Sequence, residues 1–363
     1  MKRNPPDLFL LLVVLTLLAI GLIIVTSASA PESLRVTRGT SAFHYGLRQL
    51  LYACTGVGLM LFAMKFPYNN WKKFSLWLLI SSIAFLVLVL FMAKEIKGSH
   101  RWIDFGFFNF QPSEYAKLGI ILLLAHYISE IKKGITNFIV GVGLPFLFVA
   151  FICLLILLEP DLGTTIVIFG TAMVMIFAAG ARISHLSLLG LFGTAMATVL
   201  VIIEPYRFKR LVAFWNPWQD PQGDGWQIIQ SLYALGSGGP FGMGLGMSRQ
   251  KFDYLPEAHT DYIFSILGEE LGLLGTVTVI VLFFFLAWRG FKAAISAKDL
   301  YGKVLATGIT AQLILQALLN IGVVTSSIPV TGITLPFLSS GGSSLMVSLL
   351  SVGILLNISK STE

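Results

Sequence analysis

The chain has 363 residues, of which 56% are hydrophobic and only 12% charged, with a formal net charge of +7. Soluble globular chains carry about 25% charged residues, so this composition excludes a soluble globule, a disordered chain, a coiled coil and a collagen-like fibre. The two cysteines, Cys54 and Cys153, both lie inside apolar segments, which excludes a disulfide scaffold and reads as two small buried hydrophobes.

A helix needs about 20 mostly apolar residues to cross the roughly 30 Å hydrocarbon core of a bilayer. Residues 8–26, 74–93, 138–158 and 186–203 meet that without a charge. Residues 46–64, 112–129, 163–180, 262–288, 304–325 and 341–358 are less pure but long enough, which predicts ten membrane helices. The first apolar stretch exceeds the roughly 7 to 15 residues of a signal-peptide core. It is therefore expected to stay as a helix, although Ala28-Ser-Ala30 resembles a cleavage site. The fold class is an all-α, multi-pass integral membrane protein, with residues 1–363 as a single domain.

Basic residues favour the cytoplasmic side of a membrane. With the N-terminus inside, thirteen Lys and Arg fall on inner segments and eleven on outer ones, five of the eleven in the stretch 205–260. That stretch is near the length at which the rule weakens, so the short loops decide, and both termini are expected in the cytoplasm. The positive charge then reflects the inside-positive bias and requires no nucleic-acid partner.

Polar residues at or near membrane depth are costly and point to function. The first cluster is Gly98-Ser-His-Arg101-Trp102-Ile-Asp104, followed by Gln111-Pro-Ser-Glu114-Tyr-Ala-Lys117. Pro112 suits a first helical turn, and Glu114 and Lys117 then share one helix face at i, i+3. They are expected, with Arg101, to wall one outer-leaflet cavity. The stretch 205–260 carries Arg207, Lys209, Arg210, Arg249, Lys251 and Glu257 among three tryptophans and many glycines. Such composition argues against disorder and predicts an ordered, partly re-entrant outer cap. Its run from Gly236 to Gly246 holds six glycines, which suit either close backbone packing or a phosphate cradle.

Next comes Tyr254-Leu-Pro-Glu257-Ala-His259-Thr-Asp261, leading into an apolar helix with Glu269 and Glu270. In an extended segment Glu257, His259 and Asp261 would point to one side. Asp261 suits two roles equally, the N-cap of that helix or a catalytic carboxylate. The last outer loop, 326–342, contains Pro329, Thr331, Gly332 and Pro336 and runs into Gly342-Ser343-Ser344.

These clusters, together with Glu159-Pro-Asp161-Leu-Gly-Thr-Thr165, Asn216-Pro217, Gly225-Trp-Gln, Gly268-Glu-Glu-Leu-Gly272 and Pro336-Phe-Leu-Ser-Ser-Gly-Gly-Ser-Ser344, resemble the shape, elongation, division and sporulation (SEDS) family. The likeness spans nearly the whole chain in order, and the wording from Tyr254 to Glu270 looks closer to its FtsW and SpoVE branch than to RodA. The resemblance implies a peptidoglycan glycosyltransferase of the bacterial cytoplasmic membrane. Such an enzyme polymerises lipid II, a disaccharide-pentapeptide on undecaprenyl pyrophosphate, on the outer face of the membrane. It implies a class B penicillin-binding protein as partner for transpeptidation, besides the membrane lipids themselves, and it places the family's essential aspartate on Asp261.

Around Asp261, the expected substrate-binding residues are Arg101, Glu114, Lys117, Arg207, Arg210, Glu257, His259 and Ser343. Glycosyl transfer needs a group to take the acceptor hydroxyl's proton, which a carboxylate can do, and cations to meet the charge developing on the departing pyrophosphate. Asp261 could instead hold a divalent cation, Mg²⁺ or Mn²⁺, against the substrate phosphates. That ion is the one cofactor expected, and no metal site is assigned to the chain by itself. The reading from another class is a transporter that flips lipid-linked cell-wall precursors, to which Glu114 and Lys117 at membrane depth would be suited.

Overall fold

The computed structural model describes residues 5–92, 101–104 and 109–360. Lys2, Arg3, Lys94, Lys97 and the motif residues Gly98 to His100 lie outside the described residues. The described chain is helical apart from a two-residue antiparallel pair, β1 (Ile103–Asp104) and β2 (Asn109–Phe110), in which Ile103 faces Phe110.

In chain order the helices are α1 (Leu8–Ala28), α2 (Ala30–Val36), α3 (His44–Lys65), α4 (Tyr68–Met92), α5 (Pro112–Ile131), α6 (Leu144–Leu158), α7 (Leu162–Ala178), α8 (Ile183–Ile203), α9 (Pro205–Trp215), α10 (Trp226–Gly238), α11 (Ile263–Ile295), α12 (Leu300–Val324) and α13 (Gly342–Ser359). A π-helical turn, Phe138–Gly143, extends α6 into one apolar span. Eight of these are long and apolar enough to cross a membrane: α1, α3, α4, the α6 unit, α8, α11, α12 and α13. Among the described residues the other two expected spans are less clear-cut, the apolar α7 having only seventeen residues and α5 carrying charge, but both pack among the eight.

Helices α12 and α13 are buried along most of their length, α13 against α3 and α12 against α5, α7 and α11. They can be so enclosed because serine, threonine and glycine recur along them, letting backbones approach as membrane helices require. The opposite case is α8, where only Leu186 is buried. Its apolar residues point all round, as suits a helix surrounded by lipid.

The first and last helices of the described chain begin and end on one face of the bundle. The Asp7 backbone N–H donates to Ser359 Oγ at 3.1 Å, and the Asp7 carboxylate takes Arg289 at 2.6 Å. Residues 205–260 are ordered, as expected, and contain α9, a 3-10 turn and α10, then a long series of turns.

One span departs from expectation. Residues 262–288 read as a single helix, but α11 breaks at Gly272, whose φ of 66° and ψ of −161° are not helical. A side chain there would put its Cβ 2.3 Å from the Gly242 nitrogen, so only glycine allows the glycine-rich loop to press into the break. The residues before it form a half-helix, buried from Ile263 to Glu270, beneath the cap of residues 205–260, and those after it form the span proper. Apolar periodicity runs unbroken through both pieces, which hid the break.

Candidate active site

Asp261 stands at the foot of the cap that residues 205–260 form, where turns rather than a strand carry the preceding motif. Glu257 has a φ of 53°, and its carbonyl accepts the N–H groups of Thr260 at 3.1 Å and Tyr262 at 3.2 Å. The expected extended segment is therefore absent, and Glu257, His259 and Asp261 do not line up on one side. Local hydrogen bonding wins over the strand reading because Thr260 also donates its hydroxyl to the Glu257 carboxylate at 3.0 Å, a local turn-forming bond that competes with extended structure.

Geometry removes the cap reading. The N-cap of α11 is Tyr262, with no side-chain capping bond, so the Asp261 carboxylate is not used to cap the helix. Its backbone is held instead. Asn320 of α12, almost fully buried, donates Nδ2–H to the Asp261 carbonyl and to the Ile333 carbonyl, each at 2.7 Å. The neighbouring Thr260 and His259 carbonyls accept from Ser339 Oγ at 2.7 Å and from the Ser340 N–H at 2.9 Å. Gln49 of α3 donates to the Ser339 carbonyl at 3.1 Å and accepts the Gly341 N–H at 3.3 Å. The loop 326–341 is thus a splint between α3, α12 and the segment that ends in Asp261. At Gly332, φ is 70°, and a Cβ would come 3.5 Å from Asp261 Oδ2, so bare backbone flanks the carboxylate.

Four charges act on that carboxylate. Burial pushes its pKa up to about 6, Glu257 and more weakly Asp161 push the same way, and Arg101 and Arg210 pull it down. Arg101 is aimed by the α6–α7 connection, donating Nε–H to the Glu159 carbonyl at 2.9 Å and a further N–H to the Pro160 carbonyl. Arg210 of α9 donates to the Val330 carbonyl at 3.3 Å and lies 4.4 Å over the Tyr206 ring. Asp161 caps α7 by accepting the Thr164 N–H at 3.0 Å and its hydroxyl at 2.9 Å. Just before it, the Glu159 carboxyl is fully buried with neither oxygen hydrogen-bonded, and burial followed by Asp161 raises its pKa to about 9.

Of the residues read from sequence, the structure gathers Arg101, Arg210, Glu257 and Asp261. It does not gather the others. Lys117 is 1% exposed and donates to Glu114 Oε1 at 2.8 Å and to Gln316 Oε1 at 2.7 Å, so it does not share an open cavity wall with Arg101. The reason is that Gln316, one turn along α12 from Asn320, supplies a partner inside the membrane that makes burial affordable. Gln316 in turn donates to the Thr334 carbonyl at 3.0 Å, linking the ion pair to the splint. Arg207 turns back to the Leu200 carbonyl at 3.4 Å. The Ser343 hydroxyl is buried and accepts the Gln111 N–H at 3.2 Å. His259 lies against the Tyr45 ring, with centroids 5.5 Å apart.

Sequence reasoning passed over Asn320 and Gln316, and it placed Asp161 in a family motif without counting it among the site residues. The first two were visible as amides four apart in an apolar helix, the same anomaly of polarity at membrane depth that drew attention to Glu114 and Lys117. Among the described residues no group of three or more His, Cys, Asp or Glu converges as a metal site.

Residues 7–363 match the FtsW/RodA/SpoVE family, described as cell cycle proteins. The chain is 51% identical to stage V sporulation protein E of Bacillus subtilis, with 99% of this chain and 98% of that one covered. It is 43% identical to a probable peptidoglycan glycosyltransferase FtsW of Trichlorobacter lovleyi, covering 97% and 93% respectively. Among solved structures it is similar to a chain of a peptidoglycan synthase complex that coordinates polymerization and crosslinking, with a TM-score of 0.79, 30% identity and 98% of each chain covered. It is also similar to the rod shape determining protein RodA of Thermus thermophilus, with a TM-score of 0.71, 28% identity, and 99% and 98% covered. With a match over nearly its entire length, this chain belongs to the FtsW/RodA/SpoVE family of membrane proteins.

Proposed function

We propose that this protein is a peptidoglycan glycosyltransferase that polymerises lipid II at the outer face of the bacterial cytoplasmic membrane, with Asp261 as general base. The observation that carries the reading is the Asp261 carboxylate itself, which is spared from capping, tied through its backbone to α12, and tuned upward toward neutral pH. A base works best with a pKa near the working pH.

In the reaction, the acceptor sugar's hydroxyl oxygen forms a bond to the anomeric carbon of the donor as the bond to the pyrophosphate breaks. The hydroxyl proton passes to Asp261, and the negative charge moves onto the departing pyrophosphate, which the nearby cations Arg101 and Arg210 would stabilise. Should Mg²⁺ or Mn²⁺ take part, Asp261 and substrate phosphate oxygens would hold it, and it would supply further positive charge to the leaving group.

The start of α1 and the end of α13 share one face, and the excess of basic residues on the short loops supports a cytoplasmic position for that face. Asp261 and the cap then face outward, where a glycan strand is needed. The similarity to a chain of a polymerization and crosslinking complex supports a class B penicillin-binding protein as partner. The transporter alternative loses its main support, because Glu114 and Lys117 neutralise each other in a closed site.

Purified protein in detergent, with its partner and lipid II but no membrane to cross, decides the matter. Glycan polymer on a gel, absent with Asp261→Asn, is the expected result. Absence of polymer with the intact protein and partner, alongside lipid II movement across vesicles, would overturn the reading in favour of a transporter.

A further inference from the structure

The glycine-rich run between α10 and α11 has a pattern that catalysis does not use. From Phe241 to Met247 apolar residues alternate strictly with glycines, Phe241, Met243, Leu245 and Met247 against Gly242, Gly244 and Gly246. All three glycines have positive φ, between 82° and 104°, a conformation that other residues rarely adopt. The backbone is fixed from below, since the Met243 and Gly244 N–H groups donate to the Glu269 and Glu270 carbonyls at 2.9 and 3.1 Å. Those carbonyls are free because the half-helix ends at Gly272. The outcome is a rigid ridge whose side chains face away from the protein, with Phe241 79%, Leu245 55% and Met247 65% exposed.

Two independent contacts place the height of this ridge. At one end, the Leu273 and Leu274 N–H groups donate to the Gly239 and Pro240 carbonyls at 2.9 and 3.2 Å. These leucines open the membrane-spanning part of α11 and are themselves largely exposed. At the other end, Lys251 donates to the Gly246 carbonyl at 2.6 Å and to Ser27 at 3.0 Å, and Ser27 closes the first membrane helix. The ridge therefore lies level with the outer ends of two spans and continues the lipid-facing surface of α11. Beside it Arg249 is exposed, and among the described residues it forms no ion pair. Between them a crevice of about 370 Å³ is lined by Leu232, Tyr233, Met243 and Arg249 among others.

We infer that the ridge 241–247 is inserted into the outer leaflet, its apolar side chains among phospholipid acyl chains and Arg249 at the headgroup phosphates. Apolar side chains beside a cation at the boundary of the hydrocarbon have the chemistry of an interfacial anchor. Because Lys251 ties the ridge to the turns that lead to Asp261, the anchor sets the height of that carboxylate above the bilayer. The inference stands whether or not the chain is a glycosyltransferase.

The test uses the full chain in phospholipid nanodiscs, with Cys54→Ser and Cys153→Ala as background and a bimane label on Leu245→Cys or Met247→Cys. Acyl-brominated phosphatidylcholine should quench both labels as it does a label on Ile280→Cys in α11, and aqueous iodide should not. Iodide quenching equal to that at Gln222→Cys, with no effect of bromine, would overturn the inference. If iodide quenching were lost on adding a class B penicillin-binding protein, the ridge would belong to a protein partner, and the inference would again fail. The unaltered protein offers a check that needs no variant. A phosphatidylcholine with a photoreactive acyl chain should label the peptide spanning 239–251, and labelling of α11 without that peptide would count against insertion.

Discussion

Asp261 and Lys117 are both charged, both largely enclosed and both held near α12, yet the structure treats them in opposite ways. Lys117 meets an opposite charge at 2.8 Å and an amide oxygen at 2.7 Å. The same closed arrangement recurs where Lys251 meets Glu270 at 2.9 Å, with Ser27 donating to that carboxylate at 2.6 Å. Asp261 forms no ion pair among the described residues. Cations and carboxylates surround it without contact, and its backbone takes the hydrogen bonds that its side chain is denied. A buried charge that is paired does structural work, and one that the fold positions but leaves unpaired is available for chemistry. This contrast sorts the polar residues of the chain better than membrane depth does.

The largest expected effect tests the open member of the pair. Asparagine preserves the size of Asp261 and every backbone bond but cannot accept a proton. Since the side chain is not a cap, Asp261→Asn should leave yield and melting temperature unchanged. Polymerisation measured on lipid II should fall by the roughly 10²- to 10⁴-fold that general acid–base catalysis contributes. Loss of activity in step with loss of folded protein would return Asp261 to a structural role.

The closed member makes the converse prediction. Lys117→Met leaves Glu114 buried without its counter-charge, and breaking such a pair costs about 3–5 kcal/mol, which a thermal melt in detergent would record. The double variant Glu114→Gln, Lys117→Met removes both charges and should recover most of that stability. It should recover activity as well. A double variant that folds but does not polymerise lipid II would mean that the pair contacts substrate, and the contrast drawn above would fail.

Membrane spans and motif positions were legible because each rests on a local pattern, an apolar run of sufficient length or a cluster of charges beside one. Pairing across the fold was not. Nothing near Lys117 in the sequence announces Gln316, which lies 199 positions away, so an enclosed ammonium read as an available one. The break at Gly272 was hidden for a similar reason, since it depends on Gly239 and Gly242 arriving from the preceding loop. Asp261 drew two readings from sequence, and only the position of the helix start one residue later separated them.

Asn320 is where the two regions connect, since it lies one helical turn from the partner of Lys117 and bonds the backbone of Asp261. Asn320→Ala strips a donor from two carbonyls, those of Asp261 and Ile333. Unsatisfied buried groups cost about 1–3 kcal/mol, so the melting temperature should fall moderately. The rate at saturating lipid II should fall with little change in KM, because the carboxylate moves while the rest of the site stays. A change confined to KM would place Asn320 in substrate binding instead.

The smallest effects are shifts of the pH profile, and their signs are fixed by the charges around Asp261. A general base must be ionised to act, so the rate should rise with pH through about 6 and be lost as the carboxyl is protonated below it. Glu257 raises that pKa by repelling the ionised form, so Glu257→Gln should move the acidic limb to lower pH while keeping an acceptor for Thr260. Arg210 lowers the pKa by attraction, and Arg210→Gln should move the limb to higher pH. The two shifts must be opposite in sign, because one variant removes a negative neighbour and the other a positive one. Polymerisation rates across a pH series for the wild type and both variants measure this directly. If both limbs moved the same way, or neither moved, the titrating group would not be the carboxylate between Arg210 and Glu257. Asp261 would then lose the role that its unpaired position assigns to it.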